Sequence, residues 1–306
     1  MPNQQPIRIK TISEYHQFMQ LPKPDHPLVS VARFEDSKRE YTEPASRIMD
    51  FYSIAVKRNF NVKIKYGQQE YDFDEGVLFC MSPGQVLKIE YDQTHKVENK
   101  GWNLVFHPDL LWNTPLAKTI KKYGFFDYSV NEALFLSPKE EETLIGIMQQ
   151  IDQECRSNVD SFSQEVIIAQ IELLLTYTDR FYHRQFLTRK ASNHQILDQL
   201  EQLLSDYFNS DDLSSKGLPT VAYIAEKLNI SPNYLSGLLK ALTGQSTQQH
   251  IHEKLVEKAK EKLSTTALSV SEIAYAMGFE HPQSFSKFFK QKTDLSPQDF
   301  RRTFHS

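Results

Sequence analysis

Between residues 28 and 106 apolar and polar positions alternate in short runs: Val29, Val31 and Phe34, then Phe51 to Val56, Val62, Ile64 and Tyr66, Val77 to Met81, Val86 to Tyr91, and Trp102 to Phe106. A period of two broken by turn residues is the pattern of strands, and several of them at this spacing predict a sandwich or small barrel. Ser82-Pro83-Gly84-Gln85 lies between two runs and suits a tight turn.

Beyond Pro108 the period lengthens. Ser137-Pro138-Lys139-Glu140 has the form of a capping box with proline at the first helical position, and predicts a helix to about Cys155 with Leu144, Ile147, Met148 and Ile151 on one face. A second helix, from about Phe162 to Phe186, steps through Ile167, Ile171, Leu174, Thr178 and Phe181. Its stretch Val166 to Leu175 is apolar nearly all round, so one packed face leaves other apolar groups uncovered; a second copy of the helix would cover them, and a homodimer is expected. The polar segment Leu187 to Asn193 is the expected linker, dividing a domain at 1–186 from one at 194–306. The second domain reads as all helical, starting with a helix that carries Leu197, Leu200, Leu204 and Tyr207 on one face.

The C-terminal region repeats itself. Val221, Ile224, Ala225, Leu228 and Ile230 recur 49 residues later as Val270, Ile273, Ala274, Met277 and Phe279. After one inserted residue, Leu235, Leu238, Leu239, Lys240 and Thr243 recur as Phe285, Phe288, Phe289, Lys290 and Thr293. Each copy reads as a short helix, a turn and a second helix started by Pro232 or Pro282, the shape of a helix-turn-helix unit. Between them, Ile251, Leu255, Ala259 and Leu263 stand four apart in a stretch without Pro or Gly, predicting one straight helix from Thr247 to Ser264. At 1.5 Å per residue it spans roughly 27 Å, near the roughly 34 Å between successive major-groove faces.

Charge places a polyanion partner at this end. Lys and Arg equal 35 against 39 Asp and Glu overall, yet residues 217–306 hold eleven against eight. With the phenylalanines turned inward, the second helix of the later copy presents Gln283, Ser284, Ser286, Lys287, Lys290 and Lys292, and no acid occurs from His281 to Thr293. Gln pairs with adenine, Lys with guanine or phosphate, and Ser with several edges, a usable groove-reading set. The earlier copy presents Asn233, Ser236, Gly237 and Lys240 and is the thinner reader. The alternating Glu and Lys of residues 253–262 read as a solvated helix face, and Arg301 and Arg302 as phosphate contacts or a helix cap.

Other chemistries find little support. Cys80 and Cys155 form no CxxC and no four-thiolate zinc site, and His95 and His107 stand apart without an HxH, so neither a metal nor a catalytic site is expected. The dinucleotide, P-loop, HExxH and GxSxG motifs are absent. No leader pattern opens the sequence and no uncharged apolar run of 18 residues occurs, so a cytoplasmic protein outside the membrane is expected.

Gly278-Phe279-Glu280-His281-Pro282-Gln283-Ser284-Phe285-Ser286-Lys287-Phe288-Phe289-Lys290, followed by Leu295-Ser296-Pro297-Gln298-Asp299-Phe300-Arg301, resembles the signature of the AraC/XylS family of bacterial transcription regulators. Ile224-Ala225 and Ser231 to Ser236 fall at that family's spacing. The resemblance implies an α+β chain: an N-terminal cupin-like barrel with helices for sensing and dimerisation, and a C-terminal all-α domain whose two helix-turn-helix units bind double-stranded DNA. It implies base contacts at Asn233, Ser236, Gly237, Gln283, Ser284 and Lys287, support from Lys240 and Lys290, and activation through RNA polymerase. Gly237 departs from the family, where a longer side chain is common, and Asp294 stands where glycine is usual. A small-molecule effector is expected among Tyr52, Tyr66, Phe79, Met81 and Trp102, and no cofactor. Three alternatives stay open: a cupin-type enzyme with a helical appendage, a repair fusion with a reactive cysteine, and a nonspecific architectural DNA binder.

Overall fold

The computed structural model describes residues 6–39, 45–58, 76–89, 100–128, 132–157, 160, 162–188, 190–210 and 212–304, and the chain divides into two units, Met1–Gln185 and Phe186–Ser306. In chain order the first unit holds β1 (Ile7–Ile9), α1 (Ile12–Met19), β2 (Val29–Arg33), β3 (Ala45–Met49), β4 (Tyr52–Arg58), β5 (Gly76–Met81) and β6 (Val86–Ile89). After β7 (Lys100–Phe106), α2 (Leu116–Thr119) and β8 (Leu134–Leu136) come the long helices α3 (Pro138–Arg156) and α4 (Ser163–Thr188). The strands expected around Val62 to Tyr66, and His95, lie outside the described residues.

The strands form two sheets, ordered β2-β7-β4-β5-β8 and β1-β3-β6. Strands β5 and β6, joined by the turn at Pro83 and Gly84, belong to different sheets, so this turn carries the chain from one sheet to the other. Pairing β4 with β7 and β5 in antiparallel register puts Ser53, Ala55, Lys57, Asn103, Val105, Phe79 and Met81 on one face of the larger sheet. Ile54, Val56, Leu78, Cys80, Leu104 and Phe106 take the other. The first face closes on Ile9, Ile12, Tyr15, Met19, Met49, Phe51 and Leu87, a burial that dominates the stability of the unit. A polar thread crosses this core: Ser53 Oγ donates to Asn103 Oδ1 at 2.9 Å, and Asn103 Nδ2 donates to Tyr15 Oη at 2.8 Å. Helix α3, started by the Ser137–Glu140 capping box, packs on β2, β7 and β8 through the face expected for it.

Gly101 shows why one strand position admits no side chain. Its φ is +135°, and a Cβ there would fall 2.1 Å from Val56 O.

In the second unit α5 (Lys190–Asn209) and α6 (Asp212–Lys216) precede α7 (Val221–Lys227), α8 (Pro232–Thr243), α9 (Thr247–Thr265), α10 (Val270–Ala276), α11 (Pro282–Thr293) and α12 (Pro297–Arg302). Leu187, Thr188 and Lys190 to Asn193, read from sequence as a linker, have helical backbone. The stretch contains neither Gly nor Pro, and buried Asn193 donates through Nδ2 to Phe186 O at 2.6 Å. The core consists of Ile224, Leu235, Leu238 and Leu239 from the first helical pair, Ile273, Ala274, Phe285 and Phe289 from the second, and Ile251, Leu255, Ala259 and Leu263 from α9, all fully buried.

Lys57 projects into the apolar core of the first unit, its Nζ 4.6 Å from the Phe34 ring centroid and 5.3 Å from that of Phe79. Burial, reinforced by the positive charge of Arg47, lowers its pKa from 10.5 to about 7. From about pH 7 to about 10.5 the unfolded chain then holds the proton more firmly than the folded one, so this group makes stability rise with pH across that window. Lys57→Met is expected to flatten the rise, read as the change in Tm of the first unit between about pH 7 and pH 9.5. A variant that keeps the wild-type slope would show that another group titrates.

Candidate nucleic-acid interface

The two helical pairs are built by the same local devices. Thr220 and Ser269 cap α7 and α10 by accepting from Tyr223 N and Glu272 N, and Glu272 reaches back to complete a capping box. Each first helix ends in a left-handed residue, Asn229 (φ 56°) and Gly278 (φ 77°), at equivalent places of the repeat. Only the second is crowded: a Cβ on Gly278 would lie 2.6 Å from Leu213 O and 3.0 Å from Gly217 Cα. Asparagine is therefore admissible in the first turn, whereas glycine is required in the second. Proline opens α8 and α11, and Gly244 and Asp294 close them in left-handed conformation. Aspartate at 294 takes φ 62°, so the departure from glycine leaves the cap geometry intact.

On α11, Phe285 and Phe289 point into the core, Phe288 is half-buried, and Gln283, Ser284, Lys287, Lys290 and Lys292 are exposed. Gln283, Lys287 and Lys290 are spaced i, i+4, i+7 and share one side of the helix. Phe288 lies against Phe279 and against His252 of α9, with centroids 5.8 and 5.2 Å apart. Burial, then the charge of Lys292, lowers the pKa of His252, so this imidazole is neutral near pH 7 and adds no charge beneath the lysines.

On α8 the equivalent positions, fifty residues earlier, are Asn233, Gly237 and Lys240. Asn233 and Lys240 are exposed and Gly237 is half-buried. Ser236 is half-buried too, and its hydroxyl stands 3.3 Å from Thr247 Oγ1 at the start of α9. Glycine thus occupies the place that Lys287 holds in the second copy, and the neighbouring serine is tied to the scaffold.

The remaining candidates separate by geometry. Arg301 Nε donates to Leu263 O at 3.2 Å and so caps the connecting helix, while Arg302 is exposed beside Asp299. The charges of α9 form Lys254–Glu257 and Lys258–Glu261 pairs, both at 2.8 Å, and Lys258 also donates to Asn209 Oδ1. In the first unit Tyr52 stacks on Phe106 and, by register, shares a sheet face with Trp102, whereas Phe79 and Met81 occupy the opposite face; Tyr66 lies outside the described residues. These aromatics therefore do not line one common pocket. Asp109 N donates to His107 Nδ1, making His107 the cap of a short 3₁₀ turn. Among the described residues no group of three or more His, Cys, Asp or Glu is placed to hold a metal ion, and no helix is long and apolar enough to cross a membrane.

A family model described as a helix-turn-helix domain matches residues 224–303, which run from within α7 through α12. The chain is 35% identical over 193 residues to the HTH-type transcriptional regulator YijO of Escherichia coli strain K12, a match covering 62% of this chain and 56% of YijO. It is 24% identical over 270 residues to the HTH-type transcriptional activator RhaS of Salmonella agona strain SL483, covering 83% and 86% of the two chains. Among solved structures it is similar to the C-terminal domain of AraT, a response regulator from Geobacillus stearothermophilus, at 34% identity over 35% of this chain and 84% of that one, with a TM-score of 0.31. With its signature residues folded into two capped helical pairs inside the matched region, the C-terminal part of the chain is a helix-turn-helix domain, and the chain is similar to HTH-type transcription regulators.

Proposed function

We propose that the protein is a sequence-specific regulator that binds double-stranded DNA through α8 and α11 and carries a cupin-like sensing and dimerising domain in front of them. The observation that carries this reading is the side of α11 on which Gln283, Lys287 and Lys290 stand together over a phenylalanine core, in a segment without acid. Lysine draws the helix to phosphate and guanine, glutamine selects adenine, and the rigid core fixes their register. The first unit supplies regulation by linkage: an effector that binds two arrangements unequally shifts the population able to engage both half-sites. Activation by contact with RNA polymerase and a cytoplasmic setting complete the reading, in line with RhaS being an activator.

One of the alternatives, the repair fusion, meets opposing chemistry. Burial pushes the Cys155 thiol up to about 12 and the Cys80 thiol well above its usual value, the reverse of what a reactive cysteine needs. The architectural reading draws on Gly237 and the tethered Ser236, which leave α8 with few groups to read bases, and it is separated from the first by the following comparison.

Lys287→Ala is expected to weaken specific binding more than nonspecific binding, measured by titration against a selected fragment and its scrambled counterpart. Equal losses on both would reduce Lys287 to a phosphate contact and favour the architectural binder. Gly237→Lys, which restores the side chain found at the equivalent place of α11, is expected to tighten binding and to steepen the salt dependence by about one unit of slope. An unchanged slope would place α8 away from the phosphates.

The dimer reading rests on α4. Phe162, Val166, Ala169 and Leu173 are exposed at spacings of four, three and four, with Phe162 at 65% and Leu173 at 45% exposure, a seam suited to a second helix of the same kind. In an antiparallel pair centred on Leu173, Glu165 of one copy comes beside Arg180 of the other. Light scattering is expected to give a dimer for the native chain and a folded monomer for Leu173→Glu. A native monomer at micromolar concentration would contradict the seam.

A further inference from the structure

The second helix of each copy is steadied by an aromatic edge, but the two edges come from different places. On α11 the turn residue Phe279 meets Phe285 and Phe288, with centroids 5.4 and 5.8 Å apart, so the later copy supplies its own rings. Ile230, Leu235 and Leu238 stand at the equivalent places of the earlier copy, all aliphatic. The ring there is Tyr234, which is buried, whereas its equivalent Ser284 is exposed. Buried Phe186 packs on Tyr234 edge-on, with centroids 5.1 Å apart and planes at 76°. We propose that Phe186 is a positioning residue for α8, fixing the first recognition helix from outside the repeat. The inference deepens the DNA-binding reading and rests on it.

Tyr234 belongs to the first turn of α8, the part of a recognition helix that reaches base edges. Its backbone is held by the cap, Ser231 Oγ accepting from Tyr234 N at 3.2 Å, and its ring is held by Phe186. Exposed Asn233 is the residue between them and the groove-facing surface, so its register follows theirs. Phe186 is itself fixed. Its carbonyl accepts from Nδ2 of buried Asn193, which lies on α5, and α5 packs on α9. Helix α8 is thus referenced to the connecting helix at two places, directly through Ser236 and Thr247 and indirectly through Tyr234 and Phe186. Phe186 precedes both the matched residues 224–303 and residue 194, where the sequence pattern starts the DNA-binding domain.

The earlier copy needs this support more than the later one. Long lysine side chains on α11 can adjust their reach to a small displacement, whereas α8 has glycine at 237, a tethered Ser236 and the short amide of Asn233. A contact made by so short a side chain survives only if the helix stays within about 0.5 Å of its place.

The test uses the full chain on a fragment selected from genomic DNA, with derivatives scrambled in one half-site at a time. Gln283→Ala identifies the half read by α11, as the one whose scrambling then ceases to matter. Phe186→Ala is expected to lower discrimination at the other half by about tenfold and to leave that at the α11 half within about twofold. Phe186→Leu keeps an apolar side chain of similar size and is expected to lose about threefold at the α8 half alone; it decides the matter if circular dichroism shows the alanine variant unfolded. Native discrimination at the α8 half in the leucine variant overturns the proposal, as do equal losses at both halves, which make Phe186 a general support of the fold. A native chain indifferent to the α8 half overturns it too. Discrimination at neither half by the native chain removes the regulator reading as well, so the two failures are told apart.

Discussion

The packing of α9 is the constraint on which the DNA-binding unit depends. Its buried residues recur every four positions, and each step of four advances about 40° around a helix. The stripe from Ile251 to Leu263 therefore turns as it rises, so that one helix serves several neighbours in succession. Thr247 meets Ser236 of α8, His252 meets Phe288 of α11, Lys258 meets Asn209 of α5 and Leu263 accepts from Arg301 of α12. Ala259, the smallest of the four, is fully buried and lets its neighbours approach closely. A helix held at so many points has little freedom to bend, and α9 forms a rod of roughly 28 Å from its 19 residues.

Two copies of one design are unequally equipped. The second copy has a glycine turn pressed against α6, a phenylalanine core and three lysines, whereas the first has an asparagine turn, a leucine core and glycine where the central lysine would stand. Such asymmetry suits a reader in which one helix carries most of the base selection and the other sets orientation on the backbone.

Much of this arrangement was legible in the amino-acid pattern because it is local. The four-residue stripe of α9, the proline starts of α8 and α11 and the capping box at Ser137 are each written within about one turn of helix, and the internal repeat supplies a second reading of every element. What escaped was set by contacts distant in sequence. Strand β1 and helix α1 belong to the β-rich unit because Ile9, Ile12, Tyr15 and Met19 complete a core whose other half lies thirty or more residues away. Their three- and eight-residue spans carry too few periods to register. The aromatics Tyr52, Trp102, Phe79 and Met81 were grouped by chemistry, and only the register of β4, β5 and β7 reveals that they face opposite ways. Arg301 and Ser236 look exposed and polar in sequence, and tertiary contacts turn the first into a cap for α9 and tie the second to Thr247.

On the proposed function, the rigid α9 presents α8 and α11 to one side of a duplex. Hydroxyl-radical footprinting of the full chain on a fragment selected from genomic DNA at physiological salt decides this. Two protected patches per DNA-binding unit are expected, centred about one helical turn, or roughly 10 base pairs, apart on the same face. Protection of a single patch, or uniform weak protection along the fragment, would contradict it.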